Sequence, residues 1–429
     1  MSTILFAAFV VMLVLGVPVA VVMGGASLLA ILYEGRYPGL IIAQRLFAGI
    51  DSFPLMAIPF FVLAAELMTG GKITDGLLSL ASQIIGRMRG GLGHANVLMS
   101  IFFSGISGSA LADAAGPGAV TIQMMRKSGY SVEYAAAVTA SSALISSIIP
   151  PSIIMVIYAL SDNAVSVSAL FVAGIVPGLL MGVSLMITNG FLAWKRDFKL
   201  GEPRRPWGQF IRESGTILAA LPLPIIIVGG IHSGAFTPTE ASAVAAGYAL
   251  IVTKFVLRSL TWSQLPRMFV RAGLMTSGVL MIVSTASAFA WLLTVLQVPQ
   301  AITTTITSLG LPPVALLFAI ALFLLVAGLF IDTLPGVLLF VPIVAPVADA
   351  MGIHPIQTAL VVILSLTIGM ITPPVGGVLF VVSVVARIPL TRVVSAIIPF
   401  LAAELLVLLL LVLVPAASLW LPGLFGYVR

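Results

Sequence analysis

Residues 141–159, SSALISSIIPPSIIMVIYA, carry a proline pair in the middle of an apolar run. A proline inside a helix removes a backbone donor and its ring clashes with the preceding turn, so the helix must break there. The same interruption recurs in residues 365–383, SLTIGMITPPVGGVLFVVS, where Thr372 is followed by Pro373, Pro374 and then, after one valine, two glycines. The chain around both runs is 60% hydrophobic and 8% charged over 429 residues. We therefore expect an all-α polytopic membrane protein with two broken helices.

The composition restricts the class of protein further. The mean hydropathy is +1.21, and apolar stretches of about 20 residues, the length that spans a bilayer, recur from end to end. The first stretch lacks a basic leading region and a small-residue cleavage site, so we interpret it as a span and not as a signal peptide. The chain has no cysteine and three scattered histidines, His94, His232 and His354. These counts argue against disulfide, zinc and redox chemistry, and the net charge of +6 is attributed to cytoplasmic loops, not to nucleic-acid binding.

Apolar segments between charged or turn-forming breaks predict the membrane spans. Full spans are expected over residues 3–33, 55–70, 131–160, 164–194, 214–231, 239–256, 272–296, 355–385 and 393–421, of which 131–160 and 355–385 are the broken helices. Two further apolar segments, 92–127 and 311–351, are interrupted in the middle by small, polar or acidic residues. Each is predicted to be a re-entrant hairpin, two half-length helices that meet at a tip within the membrane.

Basic residues predict the orientation, because cytoplasmic loops carry the excess of Lys and Arg. Two arginines precede the first hairpin and Arg126 and Lys127 follow it, whereas only Asp349 and His354 flank the second. The first hairpin is therefore expected to open to the cytoplasm and the second to the outside. Further basic clusters, at 195–212, 254–271 and 387–392, all fall on the cytoplasmic side. This scheme predicts a multi-pass inner-membrane protein with its N-terminus in the cytoplasm and its C-terminus in the periplasm.

A constant offset along the chain superposes its two halves. The offset that places Gly105 on Gly328 also places Gly129 on Gly352 and the first proline pair on the second. Each half then contains four full spans and one hairpin, with an unpaired span between the halves, so the second half is expected to enter the membrane upside down as an inverted repeat. The predicted division is a first repeat over 1–194, a basic loop with a linking span over 195–237, and a second repeat over 238–429.

The tips and breaks are candidate cation sites. Unpaired carbonyls at mid-membrane depth are tolerated where they line a cavity or bind something, and oxygen atoms at the C-terminal ends of half-helices suit a desolvated cation such as sodium. The tips offer hydroxyls and closely approachable backbone at Ser104, Gly105, Ser107, Gly108 and Ser109, and at Gly328, Phe330, Asp332 and Thr333. Two sodium sites are predicted, each formed by one tip and one break. The alternative is that the small residues at the tips serve only close helix packing.

Several charged residues in or beside apolar segments are candidates for substrate binding. Half-helix N-termini at the tips present positive dipole ends, which suit an anionic carboxylate. Asp113 and Asp332 lie near these ends, either as functional groups or as caps of backbone amides. Arg45 belongs to no cytoplasmic cluster and either meets the substrate or has a loop or interface role. Glu66 and Glu404 lie in apolar spans, and the sequence indicates no partner for them.

An ordered set of motifs resembles a known family. The motifs are QRLFAGIDSFPLMAIPFF, SGSALADAAGPG, SSIIPPS, GAFTPTEASAVAAGYAL, GLFIDTLP and ITPPVGG. Together they resemble the large membrane subunit of tripartite ATP-independent periplasmic (TRAP) transporters. The resemblance implies a secondary active transporter, not an enzyme, that imports an organic acid such as a dicarboxylate, keto acid or sialic acid. It also implies sodium as the coupling ion, no cofactor, and an elevator motion of the hairpins and broken helices.

The resemblance further implies partners and site residues. The partners would be a small four-span membrane subunit and a periplasmic substrate-binding protein, both separate chains. Carried over by position, the first sodium site falls on Ser104, Ser107, Ser147, Ile148 and Pro150, several of them through backbone carbonyls. The second falls on Gly328, Phe330, Met370, Thr372 and Pro374. The substrate is expected between the tips, with Ser109, Asp113, Asp332, Thr333 and Arg45 as candidates.

Other interpretations use the same architecture or a different chemistry. The chain could be a stand-alone sodium-coupled carboxylate carrier or a sodium/proton antiporter, which dependence on an added binding protein would separate from the TRAP interpretation. An intramembrane hydrolase would use Ser107 or Ser109 as nucleophile beside Asp113, but no histidine or lysine is placed as its base. A passive channel fits two closed hairpins less well than alternating access does.

Overall fold

The computed structural model describes residues 1–428 except 36, 70, 86, 197, 199–205, 207, 209 and 212–214. These residues form helices and, within the described part, no strand. The first half contains α1 (Ser2–Val14), α2 (Val19–Glu34), α3 (Leu40–Ile50), α4 (Ala57–Met68), α5 (Gly71–Ile85), α6 (Gly91–Ser107), α7 (Ala110–Ala115), α8 (Pro117–Lys127), α9 (Val132–Ala143), α10 (Ile153–Ser161) and α11 (Val167–Lys195). The second half contains α12 (Pro222–His232), α13 (Pro238–Ile251), α14 (Leu265–Val295), α15 (Val298–Ser308), α16 (Pro313–Ala327), α17 (Thr333–Ala350), α18 (Pro355–Gly369), α19 (Gly377–Ala386), α20 (Leu390–Leu413) and α21 (Ala416–Leu424).

Helix length and composition agree with a membrane protein. Four helices of the described chain, α11, α14, α17 and α20, are long and apolar enough to cross a bilayer. The helix pair Leu40–Ile50 and Phe53–Met68 would add a fifth span, bent by 61°. Several other apolar helices are shorter than a full span, because glycines and prolines interrupt the apolar runs.

The helices are interrupted at both proline pairs, as the sequence predicts. α9 ends at Ala143, a 3-10 turn covers Leu144–Ser147, and α10 begins only at Ile153. In the second half α18 ends at Gly369 and α19 begins at Gly377. The interruptions expected within 131–160 and 355–385 are thus present.

The segments predicted as hairpins are also helix pairs with a central break. The first breaks at Gly108, whose φ of +62° is left-handed and therefore suits glycine, and Ser109 then caps α7. The second breaks between Gly328 and Asp332, and the Asp332 carboxylate accepts a hydrogen bond from the Thr333 amide. The second arm of the first pair is itself divided at Gly116, where α7 ends and α8 begins.

Residues 3–33 do not form the single span that the sequence predicts. They form α1 and α2, separated by a turn at residues 15–18 in which Gly16 has a φ of +76° and Pro18 directly precedes α2. The two helices pack against each other, and the Met1 amine lies 3.2 Å from the Glu34 carboxylate, so they run antiparallel. Gly16 and Pro18 are turn-forming residues, but the sequence does not predict the turn because residues 3–33 are apolar on both sides of it.

Corresponding helices recur at the offset that places Gly105 on Gly328. α9, α10 and α11 correspond to α18, α19 and α20, and the pair α1 and α2 corresponds to α12 and α13. The segment 214–231, expected to be unpaired, contains most of α12 and is therefore the counterpart of α1. Four of the basic loop residues before it, Lys199, Arg204, Arg205 and Arg212, lie outside the described residues.

The helices pack as two groups. The scaffold group consists of α1–α4 and α12–α14, in which α4 packs on α13 and α14 packs on α2, α3 and α4. The hairpin group consists of α6–α11 and α16–α21. In it the second segment of each broken helix packs on the hairpin of the other half, α10 on α17 and α19 on α7. α15 packs on both α14 and α17 and so lies where the groups meet, and α5, which joins α4 to α6 along the chain, packs on α6 and α8.

Candidate ion and substrate site

The first tip lies directly against the first break. A Cβ atom placed on Gly108 would come within 2.5 Å of the Pro151 carbonyl oxygen and 3.3 Å of the Ser152 Cα. Only glycine fits this approach, and it brings Ser107 and Ser109 beside the turn that contains the proline pair.

The residues of the first predicted sodium site lie in the interior of the protein. Ser104, Ser107, Ser147, Ile148 and Pro150 are all buried. The hydroxyls of Ser107 and Ser147 have no hydrogen-bond partner among the described residues, whereas the Ser104 hydroxyl donates to the Ile101 carbonyl at 2.6 Å. The Ile148 carbonyl faces the α11 backbone at Gly174. The tip and break therefore contribute two unpaired hydroxyl oxygens, which are suitable cation ligands.

A column of buried polar residues runs along α6 and α9 towards this tip. Asn96 Nδ2 donates to Thr139 Oγ1 at 2.7 Å, and one turn farther along α6 Ser100 Oγ donates to Ser142 Oγ at 3.1 Å. Beyond them Ser146 Oγ donates to Asp113 Oδ2 at 2.8 Å. Apart from Asp113, these residues are not among those predicted from the sequence. Their spacing of three or four positions on two apolar helices was the signal that could have identified them.

The second tip also contacts its own break. The Gly376 amide donates to the Leu329 carbonyl at 3.2 Å, and the Val378 amide donates to the Met370 carbonyl at 3.0 Å. A Cβ on Gly369 would lie 2.6 Å from backbone atoms of Gly328. The ends of α16 and α18 therefore meet with no space for side chains.

The second predicted sodium site is more open than the first. Thr333 is fully buried, and its hydroxyl lies 3.0 Å from Met370 Sδ and 3.4 Å from Thr367 Oγ1. The Thr372 hydroxyl donates to the Ile368 carbonyl at 2.8 Å. Phe330, by contrast, is 66% exposed, and Pro374 is also exposed. Both tips thus contact their own breaks, but they do so through different positions and different side chains.

The remaining predicted residues lie in different surroundings. Ser109 is half-buried and caps α7, and Asp113 is buried. Asp332 caps α17 at the second tip. Arg45 is exposed on α3, in the scaffold group, with its guanidinium 5.0 Å from the Trp291 ring centroid. The structure therefore brings Ser109, Asp113, Asp332 and Thr333 into the hairpin group and places Arg45 against α14.

The two glutamates in apolar helices differ from each other. Glu66 is half-buried on α4. Glu404 is fully buried on α20, and neither carboxyl oxygen has a hydrogen-bond partner among the described residues.

Two clefts lie beside α17, away from the tips. One, of about 380 Å³, lies between α17 and the loop after α10 and includes Asp162 and Asp349. The other, of about 490 Å³, lies between α17 and α15. Neither cleft is lined by a residue predicted to bind the substrate, so the tips stay the candidate substrate position.

Comparison with known proteins agrees with this architecture. The family model described as "Tripartite ATP-independent periplasmic transporter, DctM component" matches residues 6–417. The sialic acid TRAP transporter large permease protein SiaM of Vibrio cholerae is 39% identical over 386 residues, which are 90% of each chain. The C4-dicarboxylate TRAP transporter large permease protein DctM of Pseudomonas aeruginosa is 39% identical over 385 residues, again 90% of each chain.

A solved structure shares the fold at low sequence identity. The YdaH transporter of Alcanivorax borkumensis superposes with a TM-score of 0.62 at 15% identity, covering 91% of this chain and 89% of the other. The family match extends over nearly the whole chain, and the broken helices and paired tips lie within the matched region. The chain is therefore a member of the DctM family, the large membrane component of tripartite ATP-independent periplasmic transporters.

Proposed function

We propose that this chain is the large permease of a TRAP transporter that imports an organic acid across the inner membrane on a sodium gradient. The observation that carries the proposal is the pair of tip-and-break contacts, one in each half of the chain. Each gathers backbone carbonyls and hydroxyls where helices end, which is the environment that a desolvated sodium ion requires. The names of the relatives favour a carboxylate such as a C4-dicarboxylate or a sialic acid.

The helix ends at the breaks also suit an anion. α10 begins at Ile153 and α19 begins at Gly377, each directly after a break. A helix N-terminus carries unpaired amides and a positive dipole end, so a carboxylate is stabilised there. The proposed substrate position lies between the tips, near Ser109 and Thr333.

The two halves are proposed to be inverted repeats with re-entrant hairpins. Their corresponding helices and the distribution of basic residues support this arrangement. Because α1 and α2 are two antiparallel segments, each half now has five proposed membrane crossings. With the basic clusters kept in the cytoplasm, this number places both the N-terminus and the C-terminus outside. The expectation of a cytoplasmic N-terminus depended on a single span over 3–33.

Transport is proposed to occur by an elevator motion of the hairpin group against the scaffold group. The packing of each broken helix on the other half's hairpin favours a unit that moves as one body. The short helices α5 and α15 connect the groups and would absorb the displacement. A small four-span membrane subunit and a periplasmic substrate-binding protein are the proposed partners, in keeping with the tripartite family.

Uptake into proteoliposomes tests this proposal. Labelled dicarboxylates, keto acids and sialic acids are offered with and without the small subunit, the binding protein and an inward sodium gradient. We expect accumulation only when all three are present. Accumulation by this chain alone would instead support a stand-alone carrier, and uptake that is independent of sodium would contradict the proposed coupling ion.

A further inference from the structure

Asp113 is a buried carboxylate whose neighbours are hydroxyl groups. It is 1% exposed and accepts a hydrogen bond from Ser146, and the Ser100 hydroxyl, which donates to Ser142, also lies near it. It takes part in no ion pair within the described part of the chain. An ionised carboxylate is costly to bury without a cation, and hydroxyl donors alone offset only part of that cost. If Asp113 is ionised, it therefore requires a positive charge nearby.

The first tip-and-break contact is the candidate place for such a charge. Ser146, which binds Asp113, is followed by Ser147, whose hydroxyl is buried and has no partner among the described residues. The Ser107 hydroxyl on the tip is also buried and also has no hydrogen-bond partner among the described residues. The Asp113 carboxylate is thus hydrogen-bonded to the residue that directly precedes Ser147 in the first break.

The second half lacks this carboxylate. At the offset that places Gly105 on Gly328, Asp113 corresponds to Gly336, and Ser146 corresponds to Gly369. A Cβ on Gly336 would lie 2.9 Å from the Leu366 side chain, so the second hairpin packs tightly where the first holds a carboxyl group. The acidic residue of the second hairpin's tip, Asp332, caps α17.

We propose that Asp113 supplies the negative charge that balances a cation bound between the first tip and the first break, and that the first cation site is therefore tighter than the second. The inference rests on the proposed sodium coupling and specifies which half holds its ion more strongly. Asp113 acts here as a positioning residue through its charge, and the oxygen ligands belong to the tip and the break. The unequal sites would fill in order as sodium rises.

Sodium-dependent thermal unfolding of the purified chain tests the proposal without any partner. Sodium chloride is titrated against choline chloride at constant ionic strength. We expect Asp113→Asn, which keeps the shape and removes the charge, to raise the half-saturating sodium concentration of the tighter phase at least about tenfold. Ser146→Ala keeps the charge and should raise it only a few-fold, and Thr372→Val, in the second site, should leave the tighter phase unchanged.

The sodium-free protein gives a second readout that a merely structural role would not produce. Without sodium the wild-type charge is unbalanced, so Asp113→Asn should unfold at the same temperature as the wild type or at a higher one. An unchanged sodium titration in Asp113→Asn would overturn the proposal. So would a failure of Asp113→Asn to fold, or an unfolding temperature of this variant below that of the wild type in the absence of sodium. A wild-type chain that does not respond to sodium at all would overturn the proposed coupling ion as well, so the two failures are distinguishable.

Discussion

Single residues determine how closely the tips approach the breaks. At Gly108 both the left-handed backbone and the proximity of the Pro151 carbonyl exclude a side chain. At Gly129 the backbone is also left-handed, with a φ of +85°, but nothing lies within 4 Å of the position that a Cβ would occupy. The chain therefore offers a matched pair of glycines that separates backbone strain from steric contact.

Replacement of Gly108 by alanine should separate the first tip from the first break. Both Gly108→Ala and Gly129→Ala incur about 1–2 kcal/mol for a left-handed residue that has a Cβ, but only the first adds a clash with Pro151. We expect Gly108→Ala to reduce sodium-dependent uptake at least about tenfold, and Gly129→Ala to retain most of it. Equal losses in the two variants would show that the contact has no particular role.

Glu404 is expected to tolerate replacement by an apolar residue of similar length. Its carboxyl group is buried without a partner among the described residues, which is unfavourable, so Glu404→Met should leave the thermal unfolding midpoint unchanged or raise it. Glu404→Ala should lower the midpoint, because a cavity costs about 2–5 kcal/mol. A large decrease in Glu404→Met would contradict this interpretation and indicate a required carboxylate.

At the scale of elements, the sequence predicted breaks better than it predicted helix lengths. The proline pairs at 150–151 and 373–374 and the small residues at the tips identified the breaks of the two segments predicted as hairpins and of the two broken helices, because proline and glycine act on the local backbone. The turn between α1 and α2 was missed, since the apolar run over 3–33 has no charge beside Gly16 and Pro18 to mark it. The polar column on α6 and α9 was missed because its members belong to distant segments that only packing brings together. The predicted ion ligands remain predictions.

The contact between the ends of α16 and α18 should be sensitive to one methyl group. In Gly369→Ala the new Cβ would lie 2.6 Å from backbone atoms of Gly328, which cannot rotate away. Overpacking of this kind typically costs about 1–3 kcal/mol, so we expect a lower thermal midpoint. Gly377→Ala is the control, because its Cβ would meet only Met370 Cε at 3.7 Å. A midpoint for Gly369→Ala as high as that of the control would contradict the close contact.

At the scale of the whole molecule, the paired helices α1 and α2 change the expected orientation of the chain. If the N-terminus lies outside, both halves have the same number of crossings, and the basic clusters at 195–212, 254–271 and 387–392 still fall inside. The scaffold group then contains matching helix pairs from the two halves, α1 with α2 and α12 with α13.

Cysteine accessibility tests this orientation directly, since the chain contains no cysteine. With a membrane-impermeant maleimide on intact spheroplasts, we expect labelling of Ser2→Cys and Asn163→Cys. Gly16→Cys and Ser128→Cys should react only after permeabilisation. Labelling of Gly16→Cys together with protection of Ser2→Cys would return the N-terminus to the cytoplasm.

The polar column also has a mechanical consequence. Sliding α6 along α9 by one turn in either direction would place the Asn96 amide opposite an alanine, Ala135 or Ala143, which cannot accept its hydrogen bonds through a side chain. A bilayer core provides no water to satisfy this amide during the slip. The helices α6 and α9 should therefore resist sliding past each other and move as one rigid unit. Any deformation of the molecule would then be concentrated in the short helices that join the two groups.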